Sequence, residues 1–242
     1  MAQYRDNAVV LRSYKLKESD RIVVFMTENH GKIRAVAKGV RKSGSRFGGR
    51  LEPMNHVDVQ FYGGRELDIV NQVELITSPS SLRSDLDRMS RGMSMVEVVD
   101  QLGMEREATP HLYKMLVGAL ETLSKTNSDL VLGAFFLKLL TAEGARPELD
   151  VCVSCQSVIG NPDGGSYYFN LDNGGVQCRE CVLGRRISSE ALQLLREILG
   201  GRMIEAINSD AGASGREVTE LATAAIEYHT ERRLKSMNTK IR

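Results

Sequence analysis

The stretch Lys32-Ile33-Arg34-Ala35-Val36-Ala37-Lys38 alternates cations with small apolar residues, Val36 being the exception. A strand there buries Ile33, Ala35 and Ala37 on one side and gathers Lys32, Arg34 and Lys38 on the other. Working outward, further short β patterns run from Ala8 to Tyr14, Arg21 to Thr27, Val57 to Tyr62 and Leu67 to Ile76. The clearest is Val57 to Tyr62, where Val57, Val59 and Phe61 face one way and Asp58 and Gln60 the other. Asn29-His30-Gly31 supplies a hairpin turn between the second and third strands. Five short strands in the first 80 residues favour a small barrel, an OB-type barrel being the economical choice. A small sandwich or an SH3-like barrel fits the same pattern.

Beyond Ser78-Pro79-Ser80-Ser81 the period lengthens. Leu82, Leu86, Met89, Met93, Val96 and Leu102 mark one amphipathic helix. Thr109-Pro110 opens a second, with Thr109 as cap and Pro110 in the first turn. Asn127-Ser128-Asp129 starts a third, apolar nearly all round and stopped by Gly144, which places it at the centre of a helical domain. Methionines at helical spacing read as core filler. Two more helices are expected, from Ser188 to Leu199 and from Arg216 to about Met237. The chain thus divides into a barrel at 1–80, a helical segment at 81–149, a cysteine module at 150–184 and closing helices at 185–242. The class is α+β multidomain: a five-stranded OB-type β-barrel, then an α-helical domain carrying a four-cysteine insert.

Charge sharpens the reading of the first strands. The 242 residues carry 32 Lys+Arg and 31 Asp+Glu, a net charge of +1, which excludes a uniform polycation. Residues 1–50 nevertheless hold 12 basic and 4 acidic side chains. From Asn29 to Leu51 seven cations (Lys32, Arg34, Lys38, Arg41, Lys42, Arg46, Arg50) occur without a single acid. The run Arg41-Lys42-Ser43-Gly44-Ser45-Arg46-Phe47-Gly48-Gly49-Arg50 is a glycine- and serine-rich loop suited to an irregular phosphate backbone. Phe47 amid these charges is the preferred base-stacking residue, with Tyr14 beside Lys15 and Lys17 second. The tail cations Arg232, Arg233, Lys235, Lys240 and Arg242 either add phosphate contacts or complement a helix terminus.

The four cysteines form two C-x-x-C pairs, Cys152/Cys155 and Cys178/Cys181, separated by 22 residues. Two such knuckles deliver four thiolates to a tetrahedral zinc, and a site filled by four cysteines leaves no open position for water, so it is structural. The intervening Asn161-Pro162-Asp163-Gly164-Gly165, Tyr167-Tyr168-Phe169 and Asp172-Asn173-Gly174-Gly175 suggest a short hairpin. Two redox pairs, two disulfides or an iron–sulfur cluster are the alternatives.

Catalytic patterns are lacking: the sequence holds no G-x-x-x-x-G-K-[ST], G-x-S-x-G or H-E-x-x-H. His229-Thr230-Glu231 matches the H-x-E of zinc deaminases but follows the cysteine pairs instead of preceding them. His30, His56 and His111 are scattered. The greasiest run, Leu130 to Leu140, contains Lys138 and is too short to span a bilayer. No enzyme and no membrane association are expected, and a cytosolic location is the default.

The pattern Gly31-Lys32-Ile33-Arg34-Ala35-Val36-Ala37-Lys38-Gly39-Val40-Arg41-Lys42-Ser43-Gly44-Ser45-Arg46-Phe47, with the helical middle and the paired C-x-x-C motifs, resembles the RecO family of bacterial recombinational repair proteins. The resemblance covers essentially the whole chain. It implies a cytoplasmic, nucleoid-associated protein with an OB barrel, a helical domain and a zinc insert. It further implies binding of single- and double-stranded DNA and annealing of complementary strands without ATP. Work with RecR in loading RecA onto DNA coated by single-strand-binding protein, and binding of that protein's C-terminal tail, also follow from the resemblance. A competing reading is a zinc-stabilised protein–protein adaptor whose basic loop docks an acidic partner.

Overall fold

The computed structural model describes residues 2–160 and 166–236. The Asn161 to Gly165 turn, Lys240, Arg242 and the expected helix end at Met237 lie outside the described residues. Two compact units emerge: Met1–Lys125 with Leu234–Arg242, and Thr126–Arg233. This division differs from the four segments read from the sequence. The first two expected helices belong with the barrel, because they pack on its wall.

In the first unit, strands β1 (Gln3–Lys15), β2 (Arg21–Thr27), β3 (Lys32–Ala37), β4 (His56–Tyr62) and β5 (Asp68–Thr77) close a barrel in the order β1-β2-β3-β5-β4. All pairings are antiparallel except β3 with β5, which is the arrangement of an OB-type barrel. Closure depends on β1, whose first half pairs with β4 and whose second half pairs with β2 across a bulge between Val10 and Arg12. The interior is a cluster of Ala8, Val10, Val23, Phe25, Ile33, Ala35, Val57, Val59, Phe61 and their neighbours. In β3 the small side chains Ala35 and Ala37 point inward and leave room for the large rings. Strand β2 is buried on both faces, since helices pack on its outer side. At the β2–β3 hairpin Gly31 takes φ +68, and a Cβ there would fall 1.9 Å from the Glu107 carbonyl oxygen. Buried Asp6 clasps the same hairpin, accepting hydrogen bonds from the backbone and side-chain nitrogens of Asn29 at 3.0 and 2.9 Å.

The expected helix from Leu82 is two helices, α1 (Ser80–Arg83) and α2 (Leu86–Leu102). Extended Asp85 interrupts them and its carboxylate accepts the Arg88 amide at 3.0 Å. Helix α3 (Pro110–Lys125) begins as expected. However, it is the Thr109 carbonyl that accepts the Leu112 and Tyr113 amides, while the buried Thr109 hydroxyl has no hydrogen-bond partner among the described residues. Both ends of the excursion into the second unit are pinned to α2. Arg88 Nη2 donates to the carbonyls of Leu123 and Ser124 at 2.6 and 2.7 Å, and the Glu97 carboxylate accepts the amides of Lys235 and Ser236 at 2.9 and 3.0 Å.

The second unit is built around α4 (Leu130–Ala142), buried from Leu130 to Leu140 apart from Lys138. A sheet of β6 (Ser166–Asn170), β7 (Gly175–Gln177) and β8 (Arg185–Ser188) follows, ordered β7-β6-β8. Then come α5 (Ser189–Leu199), α6 (Met203–Asn208) and α7 (Gly212–Thr230). Gly133 on α4 lets α7 approach closely, since a Cβ there would lie 2.8 Å from Thr219 Oγ1. Helix α7 starts before the expected Arg216 and stops at Glu231, which takes φ +53. No described helix is long and apolar enough to cross a membrane.

Candidate nucleic-acid face and metal centre

The seven cations of the basic stretch divide into two groups. Lys32 and Arg34 stand on the outer wall of β3, facing carboxylates that arrive from the end of α2 and the segment after it. Lys32 Nζ donates to the Asp100 carbonyl at 2.6 Å and lies 3.6 Å from its carboxylate, with both side chains only 15% exposed. Arg34 lies 3.6 Å from Glu105 and donates to the Tyr14 hydroxyl oxygen at 3.1 Å. The Tyr14 contact first, and Glu105 in addition, raise the guanidinium's pKa further. The segment carrying these acids is itself annealed to the start of β3: Lys32 N donates to the Met104 carbonyl and Arg106 N to the Lys32 carbonyl. Arg106 is anchored in turn on buried Asp68 at 2.8 Å. Burial works against the Asp68 carboxylate, yet hydrogen bonds from Tyr4, Gly64 and Arg106 hold its pKa below the usual value.

Lys38, Arg41, Lys42, Arg46 and Arg50 lie beyond the strand and are all exposed. Among the described residues none of the five forms an ion pair with a carboxylate; Arg41 and Arg50 reach only backbone carbonyls. Asp20 secures the loop's base by accepting the Gly39 amide at 2.8 Å. Phe47, the preferred stacking residue, is 1% exposed: its ring belongs to the barrel core, and the Arg46 guanidinium lies 4.9 Å above its centroid. A buried ring cannot meet a base. The Gly48–Leu51 turn swings Phe47 and Leu51 inward as a plug, which leaves the cations outside. Tyr14 is partly buried, with the Arg12 guanidinium 5.6 Å from its ring centroid. The sequence reading missed Arg12, Asp100 and Glu105, because their relation to β3 is created only by the fold.

In the second unit the four cysteine sulfurs all lie within 4.8 Å of one another. The Cys155 and Cys178 sulfurs are 3.7 Å apart. Four thiolates about 2.3 Å from a zinc ion stand roughly 3.8 Å apart, so the quartet fits a tetrahedral metal. Each knuckle is a tight turn: Gln156 N donates to the Cys152 carbonyl at 2.9 Å with Gln156 at φ +63, and Cys181 N to the Cys178 carbonyl at 3.2 Å. Buried Gln177 joins the knuckles, donating to Ser154 Oγ at 2.7 Å and accepting the Leu183 amide at 3.3 Å. Nothing in its sequence context marks this residue. Burial pushes the Cys152 thiol up, but the amides of Cys155, Cys178 and Ser154 outweigh it and hold the group down at about 6. Hydrogen bonds with the Cys155 and Cys178 thiols push Cys181 up to about 12. Without a metal the quartet therefore keeps protons that a cation would displace. The hairpin expected between the pairs is β6–β7, and β8 adds a third strand.

The comparisons with known proteins agree with this architecture. Residues 1–79 match the family described as Recombination protein O N terminal, and residues 83–238 the one described as Recombination protein O C terminal. The chain belongs to the RecO family. Relatives named DNA repair protein RecO include one from Cutibacterium acnes, 40% identical over 98% of both chains. Another, from a Nocardioides strain, is 38% identical over 97% of both, and a third, from Frankia casuarinae, is 39% identical over 98% of both. As a RecO family member the chain has a role in DNA repair and recombination, and its cysteine quartet is compatible with zinc.

Proposed function

We propose that this chain is a non-enzymatic recombination mediator. It binds single- and double-stranded DNA and anneals complementary strands without ATP. With RecR it assists RecA loading onto DNA coated by single-strand-binding protein, whose C-terminal tail it also binds. It acts in the cytoplasm, on the nucleoid. Residues 1–80 supply the DNA-binding domain and residues 150–184 the metal module, where Cys152, Cys155, Cys178 and Cys181 hold one structural zinc. Such an ion would lock the two knuckles together and leave no site for a substrate.

The observation that carries the DNA reading is the group of exposed loop cations Lys38, Arg41, Lys42, Arg46 and Arg50, which form no ion pair among the described residues, on a barrel of RecO type. Unpaired exposed cations condense onto phosphates and release counterions, which needs no sequence recognition and favours two repelling strands meeting. Lys32 and Arg34 contribute less, since their charge is already partly balanced. The test is single-stranded DNA binding measured against salt for the combined Arg41→Ala, Lys42→Ala, Arg46→Ala variant. Affinity at low salt is expected to fall about 10- to 100-fold, and the slope of log affinity on log salt by about 2, at roughly 0.7 per lost contact. A wild-type slope would move the DNA elsewhere and favour an acidic protein partner for this loop.

A further inference from the structure

Arg12, Tyr14 and Arg34 form a cluster on the outer wall of the barrel that the loop cations do not explain. Register places Arg12, Val24 and Arg34 in one row across β1, β2 and β3, with Tyr14 two residues beyond Arg12 on the same strand. The Arg12 guanidinium stands 5.6 Å from the Tyr14 centroid, and Arg34 donates to the Tyr14 hydroxyl oxygen at 3.1 Å. Each guanidinium also meets one carboxylate: Arg12 Nε lies 2.5 Å from Asp100, and Arg34 Nη1 lies 3.6 Å from Glu105. These are the parts of a nucleotide site: two forked cations for a phosphodiester and an aromatic face for a base.

We propose that this cluster is a subsite for one nucleotide unit of single-stranded DNA, and that Glu105 occupies the phosphate position until DNA displaces it. The subsite rests on the reading of the barrel as the DNA-binding domain. Exposure decides which acid yields. Glu105 is 56% exposed and Arg34 38%, a solvent-screened surface pair, so a phosphodiester competes with it readily. Asp100 is 15% exposed and shared between Arg12 and Lys32, so it stays and orients Arg12. The carboxylate lowers affinity without abolishing it. A protein that must let go of a strand after annealing gains from such a competitor.

Two single substitutions test the subsite in the full-length protein, with single-stranded oligothymidylate and a duplex of equal length as probes. Glu105→Gln is expected to raise oligothymidylate affinity at low salt about 3- to 10-fold and to steepen the salt slope by about 0.7, one added phosphate contact. Tyr14→Leu is expected to weaken oligothymidylate binding by about 5-fold or more with an unchanged slope, because stacking releases no counterions. Duplex binding stays at wild-type strength in Tyr14→Leu, and Tyr14→Phe behaves as wild type toward both probes. Unchanged affinity and slope in Glu105→Gln, or equal losses on both probes in Tyr14→Leu, would overturn the subsite. If the Arg41, Lys42, Arg46 variant is weakened while these two are silent, the subsite fails and the loop reading stands. If that variant binds as wild type, the loop reading fails on its own account.

Discussion

The cysteine quartet and the basic stretch differ in where their neighbours come from. Every group around the cysteines, from the Ser157 hydroxyl at 2.9 Å from Cys155 to Gln177 across the knuckles, lies within about 30 residues of chain. The β3 cations instead meet Asp100 and Glu105, which lie some 70 residues further on and reach them through a helix. A local cluster acquires its electrostatics from its own turns. A surface patch acquires it from whatever the tertiary fold lays alongside. Two of the seven cations are therefore balanced, while the five beyond the strand form no ion pair among the described residues.

The contrast can be broken at several points. The largest effect is expected from Cys152→Ser, which removes a buried ligand of the quartet. Metal per chain, measured by elemental analysis, should drop from one, and the unfolding free energy of the second unit should fall by several kcal/mol, against a metal contribution on the order of 10 kcal/mol in small zinc modules. Undiminished metal content would show that the quartet is not the site. Phe47→Ala comes next: loss of a fully buried ring should cost about 3–5 kcal/mol in denaturant unfolding, with the salt slope of DNA binding unchanged. A lost slope with intact stability would return Phe47 to the surface.

A smaller effect concerns acid. Because the folded protein holds the Asp68 carboxylate below its usual pKa, that charge contributes stability above about pH 4, and the contribution fades as pH falls further. Asp68→Asn should lower stability at neutral pH by about 1–3 kcal/mol, because the buried carboxylate that accepts from Tyr4, Gly64 and Arg106 loses its charge, while half-exposed Arg106 is resolvated by water. It should also flatten the acid limb of the stability curve below pH 4. An acid limb identical to wild type would remove Asp68 from the network. The loop variant should sit at the small end for stability, within about 0.5 kcal/mol of wild type, although its DNA binding changes most.

These differences also explain how far the residues announce the structure. Strands β3 and β4 follow from alternation, because each has a clear inner face, whereas β2, buried on both faces, shows only as an apolar run. The start of β1 does not, since Gln3-Tyr4-Arg5-Asp6-Asn7 looks polar; Asp6 is buried there only because Asn29 and His30 come to meet it. Helix α6 is six residues long, too short to display a helical period. The metal quartet is legible from spacing alone. The candidate nucleic-acid face is legible only in its loop, where aromatic and cation separate as the chain turns inward at Phe47. The pairing of Arg34 with Glu105 requires knowing where α2 ends.

The two clasps on α2 have a further consequence for chain entropy. Residues 126–233 leave the first unit after Leu123 and Ser124, held by Arg88, and return just before Lys235 and Ser236, held by Glu97. While the first unit is folded, an unfolded second unit is not a free polymer but a closed loop pinned at both ends. A covalent cross-link around a loop of about 100 residues removes roughly 4–5 kcal/mol of conformational freedom from the unfolded chain, and the clasps confer a reversible share of it. One helix of the barrel unit thereby acts as a thermodynamic staple for the region that carries the cysteine quartet.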